Sequence, residues 1–325
     1  MISILHFIRP LLAAQLVLAG FTAAAKDVFI PDSGLNAAIR ETLQKPNAPL
    51  SQQDLLSLTS LNASGRRVSS LEGLQEARNL TVLNLQSNRL ATLSFPAGLT
   101  RLSVLDLSFN PLTNCIFPLG LTNLSGLAIE EASLTSLTLP ADMTGLNNLD
   151  LFGNQLTNFT LPAGLTNLSF LDLDENRLPN LDLPAGLTSL ALLTVSDNQL
   201  LSLTLPADMT NLSSLFLDGN PFTALVLSEP LAAIILAELT VVLDGQSVSV
   251  FTYPLTTQLV APRQPGDGSF QFALTGPPGV YVVLASTNLV AWSELAFLTN
   301  QIGTVRFEDV AAPLSSQKFY AVRSF

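Results

Sequence analysis

Apolar positions recur every 22 residues between 80 and 222 on the pattern LxxLxLxxNxL. They begin with Leu80, Leu83, Leu85, Asn88 and Leu90 and run in the same register to Leu212, Leu215, Leu217, Asn220 and Phe222, seven units without an insertion. A unit of this length cannot bury its own apolar face and is stable only when stacked on its neighbours, so residues 80 to 233 predict one elongated repeat solenoid. Within each unit the side chains around Leu83 and Leu85 alternate. The two leucines face inward and residues such as Val82, Asn84 and Gln86 face outward, as in a strand with one buried side, and the strands stack into a parallel sheet. The other half of the unit reads LxxLxLPAGLT. Eleven residues cannot hold a long helix and its turns, so a short extended piece with tight turns is expected, giving a short irregular convex side.

The ends of the array read differently. Asp32-Ser33 can cap a short helix carrying Leu35, Ile39 and Leu43 on one face, which Pro46 and Pro49 stop. Ser51 to Asp54 reads as a capping box, and Leu58 to Leu61 lies 22 residues before Leu80 to Leu83. Residues 26–79 therefore predict an N-terminal helical cap with a degenerate first repeat, in which Arg66 stands where later units carry Asn. Pro230 opens a helix-like stretch, Leu231 to Leu243, closed by Asp244-Gly245, and Val248 to Phe251 reads as a last strand, so residues 80–254 comprise the repeats and their C-terminal cap. Residues 255–325 lose the period. Six short β patterns separated by Gly, Pro and Asn turns predict a small all-β sandwich there. At the other end, residues 1–25 read as an export signal: Arg9, an apolar run from Leu11 to Phe21, and Ala23-Ala24-Ala25 before Lys26.

The repeat residues resemble the leucine-rich repeat superfamily. The 22-residue length, with Ile30-Pro31-Asp32 ahead of a helical cap, is similar to the internalin-like bacterial surface proteins over roughly residues 28 to 251. The resemblance implies a leucine-rich repeat horseshoe, β-dominated α/β with a parallel concave sheet, used across its members for unrelated partners. The C-terminal segment from Phe270-Gln271-Phe272 through Ser286 to Trp292 and Phe319 to Arg323 is similar to C-terminal β-modules of bacterial exported proteins.

Charge narrows the partners. Net charge is −11, and from Leu102 to Pro262 Arg177 is the only basic residue against fifteen Asp or Glu. Phosphate contacts need Lys and Arg, so nucleic acid is excluded and an anionic membrane surface is disfavoured. After signal removal no apolar run reaches spanning length. His6 is the sole histidine and leaves with the signal, which excludes histidine triads and His-ligated zinc. Cys115, the sole cysteine, takes an apolar repeat position and reads as a buried thiol. The recurring asparagine, Asn88 to Asn220, serves buried turns; its one replacement, Ala132, predicts a local weak point beside Glu130-Glu131.

The outward positions carry the candidate chemistry. One row reads Asn84, Asp106, Ala128, Asp150, Asp172, Thr194 and Phe216; the next reads Gln86, Ser108, Glu130, Phe152, Asp174, Ser196 and Asp218. Asp150, Phe152, Phe170, Asp172, Asp174, Glu175, Arg177 and Phe216 form the expected partner-binding patch, aromatic anchors within a polar rim. The first reading is an exported, non-enzymatic protein, secreted or on the cell surface, that binds a protein partner with a basic surface. The alternative is a carbohydrate- or calcium-binding surface protein, with Asp150, Asp172, Asp174 and Glu175 as calcium candidates and no other cofactor. A glycosidase using Asp150 and Asp172 comes third, because an open solvated ladder is not expected to move carboxylate pKa values apart.

Overall fold

A computed structural model describes residues 27–238, 240–242, 248–312 and 317–325, with backbone alone at 235–238 and 240–242. The expected export signal and the Asp244-Gly245 turn lie outside these residues.

Nine three-residue strands build the concave sheet, in the order Ser60–Asn62, Val82–Asn84, Val104–Asp106, Gly126–Ala128, Asn148–Asp150, Phe170–Asp172, Leu192–Thr194, Ser214–Phe216 and Thr240–Val242. Every pair is parallel, and up to Phe216 each residue lies beside the one 22 positions on: Leu61 beside Leu83, Leu149 beside Leu171, Leu193 beside Leu215. Leu83, Leu105, Leu127, Leu149, Leu171, Leu193 and Leu215 are all buried, at 0–1 % exposure, in one column, and the stack passes Ala132 without a break. Truncating one of these leucines to alanine should cost about 2–5 kcal/mol, because a close-packed column only partly collapses around the hole.

The inward asparagines stitch successive coils together. Asn110 Nδ2 donates to Leu85 O in the previous coil and to Leu107 O in its own, while its Oδ1 accepts from Leu90 N. Asn154, Asn176 and Asn198 repeat the pattern. At Ala132 that acceptor is missing, and Leu112 N turns instead to Asn110 O at 2.7 Å.

The convex side is more regular than a series of turns. Its extended pieces pair into parallel ladders of their own, one through Thr92–Ser94, Asn114–Ile116, Ser136–Thr138 and Asn158–Thr160, the other through Ser202–Thr204, Ala224–Ser228 and Ser249–Tyr253. Among the described residues the coil between them makes a single bridge, Asp182 to Thr160 of the first ladder, and none to Ser202–Thr204. Pro179 contributes on the side of the first ladder: it stands where Thr113, Thr157 and Thr223 each donate N–H to the coil before, and proline has none to give.

Both ends are closed. The first helix, Ser33–Thr42, is capped by Asp32, whose Oδ1 accepts from Leu35 N and whose Oδ2 also ties down Ser69, and Ser51–Asp54 forms the expected capping box. At the C-terminal end the helix spans Glu229–Glu238 and does not continue to Leu243. The β-branched run Thr240–Val242 leaves it and adds a ninth strand to the concave sheet, since such side chains favour a pleated surface over a helix. Among the described residues no helix is long and apolar enough to cross a membrane.

The six β patterns beyond residue 255 form two three-stranded antiparallel sheets: Gln258–Arg263, Phe270–Thr275 and Thr304–Asp309, and Gly279–Ser286, Ser293–Asn300 and Phe319–Ser324. Aromatic rings hold them together, with Phe270 stacked on Tyr320 at 4.7 Å and Phe272 edge-on to Tyr320 at 5.8 Å. Asp309, buried, takes Lys318 Nζ at 2.6 Å and the Tyr320 hydroxyl at 2.7 Å. The module meets the last solenoid strand at Gly303, where φ is +90° and a Cβ would lie 2.7 Å from that of Tyr253.

A carboxylate ladder on the concave face

The outward face has a recurrent hydrogen bond that the strand geometry creates. In successive coils the side-chain oxygen that follows the central leucine accepts from the backbone N–H two residues on: Asn84 from Gln86, Asp106 from Ser108, Asp150 from Phe152 and Asp172 from Asp174, all at 2.9–3.1 Å. It closes the strand as an Asx turn does. Asn84 makes this bond with a neutral amide, so the charges of Asp106, Asp150 and Asp172 exceed what the turn needs.

Two of those charges lie side by side. Asp150 is the register partner of Asp172, with strands about 4.8 Å apart. The Thr194 hydroxyl donates to Asp172 at 2.8 Å, Ser196 N to Asp174 at 2.6 Å and Ser196 Oγ to Asp218 at 2.8 Å. Burial, joined by the like charges of Asp172 and Glu130, pushes the Asp150 carboxyl up to about 7. Burial and the neighbouring Asp172 and Asp218 carry Asp174 up to about 6, and Glu130 is raised by burial and by Asp106. The ladder therefore perturbs its carboxylates, as like charges this close must, because the strands hold them too close for water to solvate each one fully.

Asp150, Phe152, Phe170, Asp172, Asp174 and Phe216 are all half-exposed on or beside the concave strands, with Phe170 and Phe216 two coils apart. Glu175 and Arg177 do not join them as strand residues. Glu175 sits in the left-handed turn beyond, at φ +52°, and Arg177 N bonds to Leu156 O of the preceding coil. Both are exposed. Among the described residues no three or more Asp, Glu, His or Cys side chains converge to hold a metal ion, so the cation set of Asp150, Asp172, Asp174 and Glu175 is not assembled.

Comparison with known proteins matches this geometry. A family profile described as Leucine Rich repeats (2 copies) matches residues 78–126. The crystal structure of an internalin C2 from Listeria monocytogenes aligns at 27% identity and a TM-score of 0.50, over 67% of this chain and 95% of that one. The chain has the leucine-rich repeat fold, and its solenoid is similar to that of this internalin. InlP of the same organism aligns at 22% identity and a TM-score of 0.48, over 87% of this chain and 88% of that one. No curated protein matches the chain.

On this leucine-rich repeat face the sequence-derived patch omitted Asp106, Glu130 and Asp218, which complete the ladder. Their signal was present in the two outward rows and needed only the column to be read past its aromatic members. Cys115 is buried at 4% exposure, and burial pushes its thiol up to about 12, which suits a core residue with no reactive role.

Proposed function

We propose that this leucine-rich repeat protein is exported and acts without catalysis, binding a protein partner of basic surface through the acidic, Phe-containing concave face. The observation that carries the reading is the surplus charge: Asn84 closes its strand without a carboxylate, yet three later coils use Asp at the same place. The repeat scaffold supports it, since stacked coils offer a broad surface suited to a macromolecule. Phe152, Phe170 and Phe216 supply half-exposed aromatic area among the acids, the composition of a binding hot spot.

The test is capture of partners from the native envelope and medium, with wild type compared to two variants. Asp150→Asn with Asp172→Asn keeps the strand-closing acceptors and should weaken binding by cutting association rate and its salt dependence. Phe170→Ala and Phe216→Ala should each cost about 2 kcal/mol in affinity at unchanged melting temperature. Full binding by both double variants would move the interface off the concave face. Fractionation of the producing cell tests export.

A further inference from the structure

The turn joining Gly279–Ser286 to Ser293–Asn300 carries four apolar residues in a row, Leu289-Val290-Ala291-Trp292, and all four are exposed. Leu289 is 57 %, Val290 85 % and Trp292 39 % exposed. The turn itself does not call for them. Leu289 sits at φ +62°, a left-handed conformation that glycine or asparagine adopts with less strain than leucine. The loop is closed on itself. Ser286 Oγ accepts from Asn288 N at 3.2 Å and from Leu289 N at 2.9 Å, while Asn288 Oδ1 accepts from Val290 N and Ala291 N, both at 2.9 Å. Four successive backbone N–H groups thus have acceptors inside the loop, anchored on the buried Ser286. An apolar medium demands this, because an N–H without an acceptor is costly there, and water does not. A protein surface is met through about one hydrogen bond per 100–200 Å2, and this tip keeps its backbone donors to itself.

The tip also stands where a surface can reach it. Gly279 pairs with Asn300 at the end of the hairpin where the module meets the solenoid through Gly303 and Tyr253, and Ala285 pairs with Ser293 at the other end. The strand Gly279–Ser286 spans about 25 Å, so the tip lies that far along the hairpin from the contact with the repeats. Val310, 76 % exposed, shares this end: it follows Asp309, which binds Lys318 and Tyr320 on either side of Phe319, the register partner of Ser286. The turn 287–292 carries no charge, and the first charged residue after it, Glu294, is ion-paired with Arg323.

We propose that residues 289–292 insert into a lipid bilayer with neutral, zwitterionic headgroups. Leu289 and Val290 enter the boundary of the acyl chains, and Trp292, at the base of the tip, sits at headgroup level, where indole is favoured. The chain's net charge of −11 selects the lipid, because an anionic surface repels it. A tip this small holds weakly and reversibly. Neither the acidic ladder nor its partner takes part in the contact.

Trp292 is the only tryptophan in the chain, so its emission reports the tip alone. The chain without its expected signal, whose apolar run would itself enter lipid, is mixed with phosphatidylcholine vesicles. Emission should shift to the blue, and the protein should float with the vesicles. Leu289→Asn with Val290→Ser keeps the loop's hydrogen bonds and suits the left-handed turn. It should cut partitioning at least about tenfold, at a melting temperature no lower than that of wild type. Adding phosphatidylserine to the vesicles should weaken wild-type binding, and stronger binding there would overturn the choice of a neutral lipid. Unshifted emission from wild type overturns the proposal and leaves an apolar pocket on another protein as the occupant. A double variant that floats like wild type overturns it as well, by moving the contact off the tip.

Discussion

Asp150 shows how one residue can serve structure and binding with different parts of the same side chain. Its Oδ1 closes a strand, a task an amide performs at Asn84, while its charge is held against burial and against Asp172 and Glu130. A carboxyl raised to about 7 from an ordinary 3.8 takes up a proton on folding anywhere between those values, so its contribution favours the fold at low pH and is lost as pH rises through about 7. The melting temperature of wild type should fall between pH 5 and pH 8.5, and Asp150→Asn should flatten that fall. Equal slopes in the two proteins would remove Asp150 from the account. Ala132 offers the converse case. Ala132→Asn restores an acceptor for Leu112 N, but that donor already has Asn110 O, so the gain in a urea titration should be no more than about 1 kcal/mol.

Among the elements, the convex ladders are the part least evident from the chain. The concave strands could be read directly, because burial on one face imposes a two-residue alternation on every coil. The convex pieces alternate too, but their pairing depends on backbone N–H groups that no side-chain pattern records, and at Pro179 one such group is absent. Thr240–Val242 was hidden for a related reason: an apolar run after Pro230 fits helix and buried strand alike, and β-branching alone separates them. The candidate face was legible in the two outward rows. So was the closeness of Asp150 and Asp172, because a fixed 22-residue register puts them on adjacent strands; the burial that raises Asp150 and Asp174 was not, since it depends on how the neighbouring coils cover each carboxyl. The coil of Pro179 is tied to the first convex ladder by one bridge, so amides bordering Pro179 should exchange with solvent faster than those of 92–160, and Pro179→Thr should slow them. Uniform protection across the convex side would contradict this.

For the molecule as a whole, acidity is concentrated where the sheet is exposed, and the groups proposed to bind include those that titrate. Between pH 8 and pH 5 Asp150 and Asp174 take up protons at about 7 and about 6. Affinity for a basic partner should therefore decline over that range, measurable by calorimetry at constant ionic strength; an affinity independent of pH would place the contact away from these residues. The shared register has another consequence. Because Leu149 meets Leu171 as Leu127 meets Leu149, the backbone cut at one coil presents the same two ends as a cut at the next. Unequal recombination between gene copies can add or drop whole coils without disturbing either cap. The length of the face is then a graduated quantity, adjustable in steps of about 4.8 Å, while its chemistry is written separately on each step.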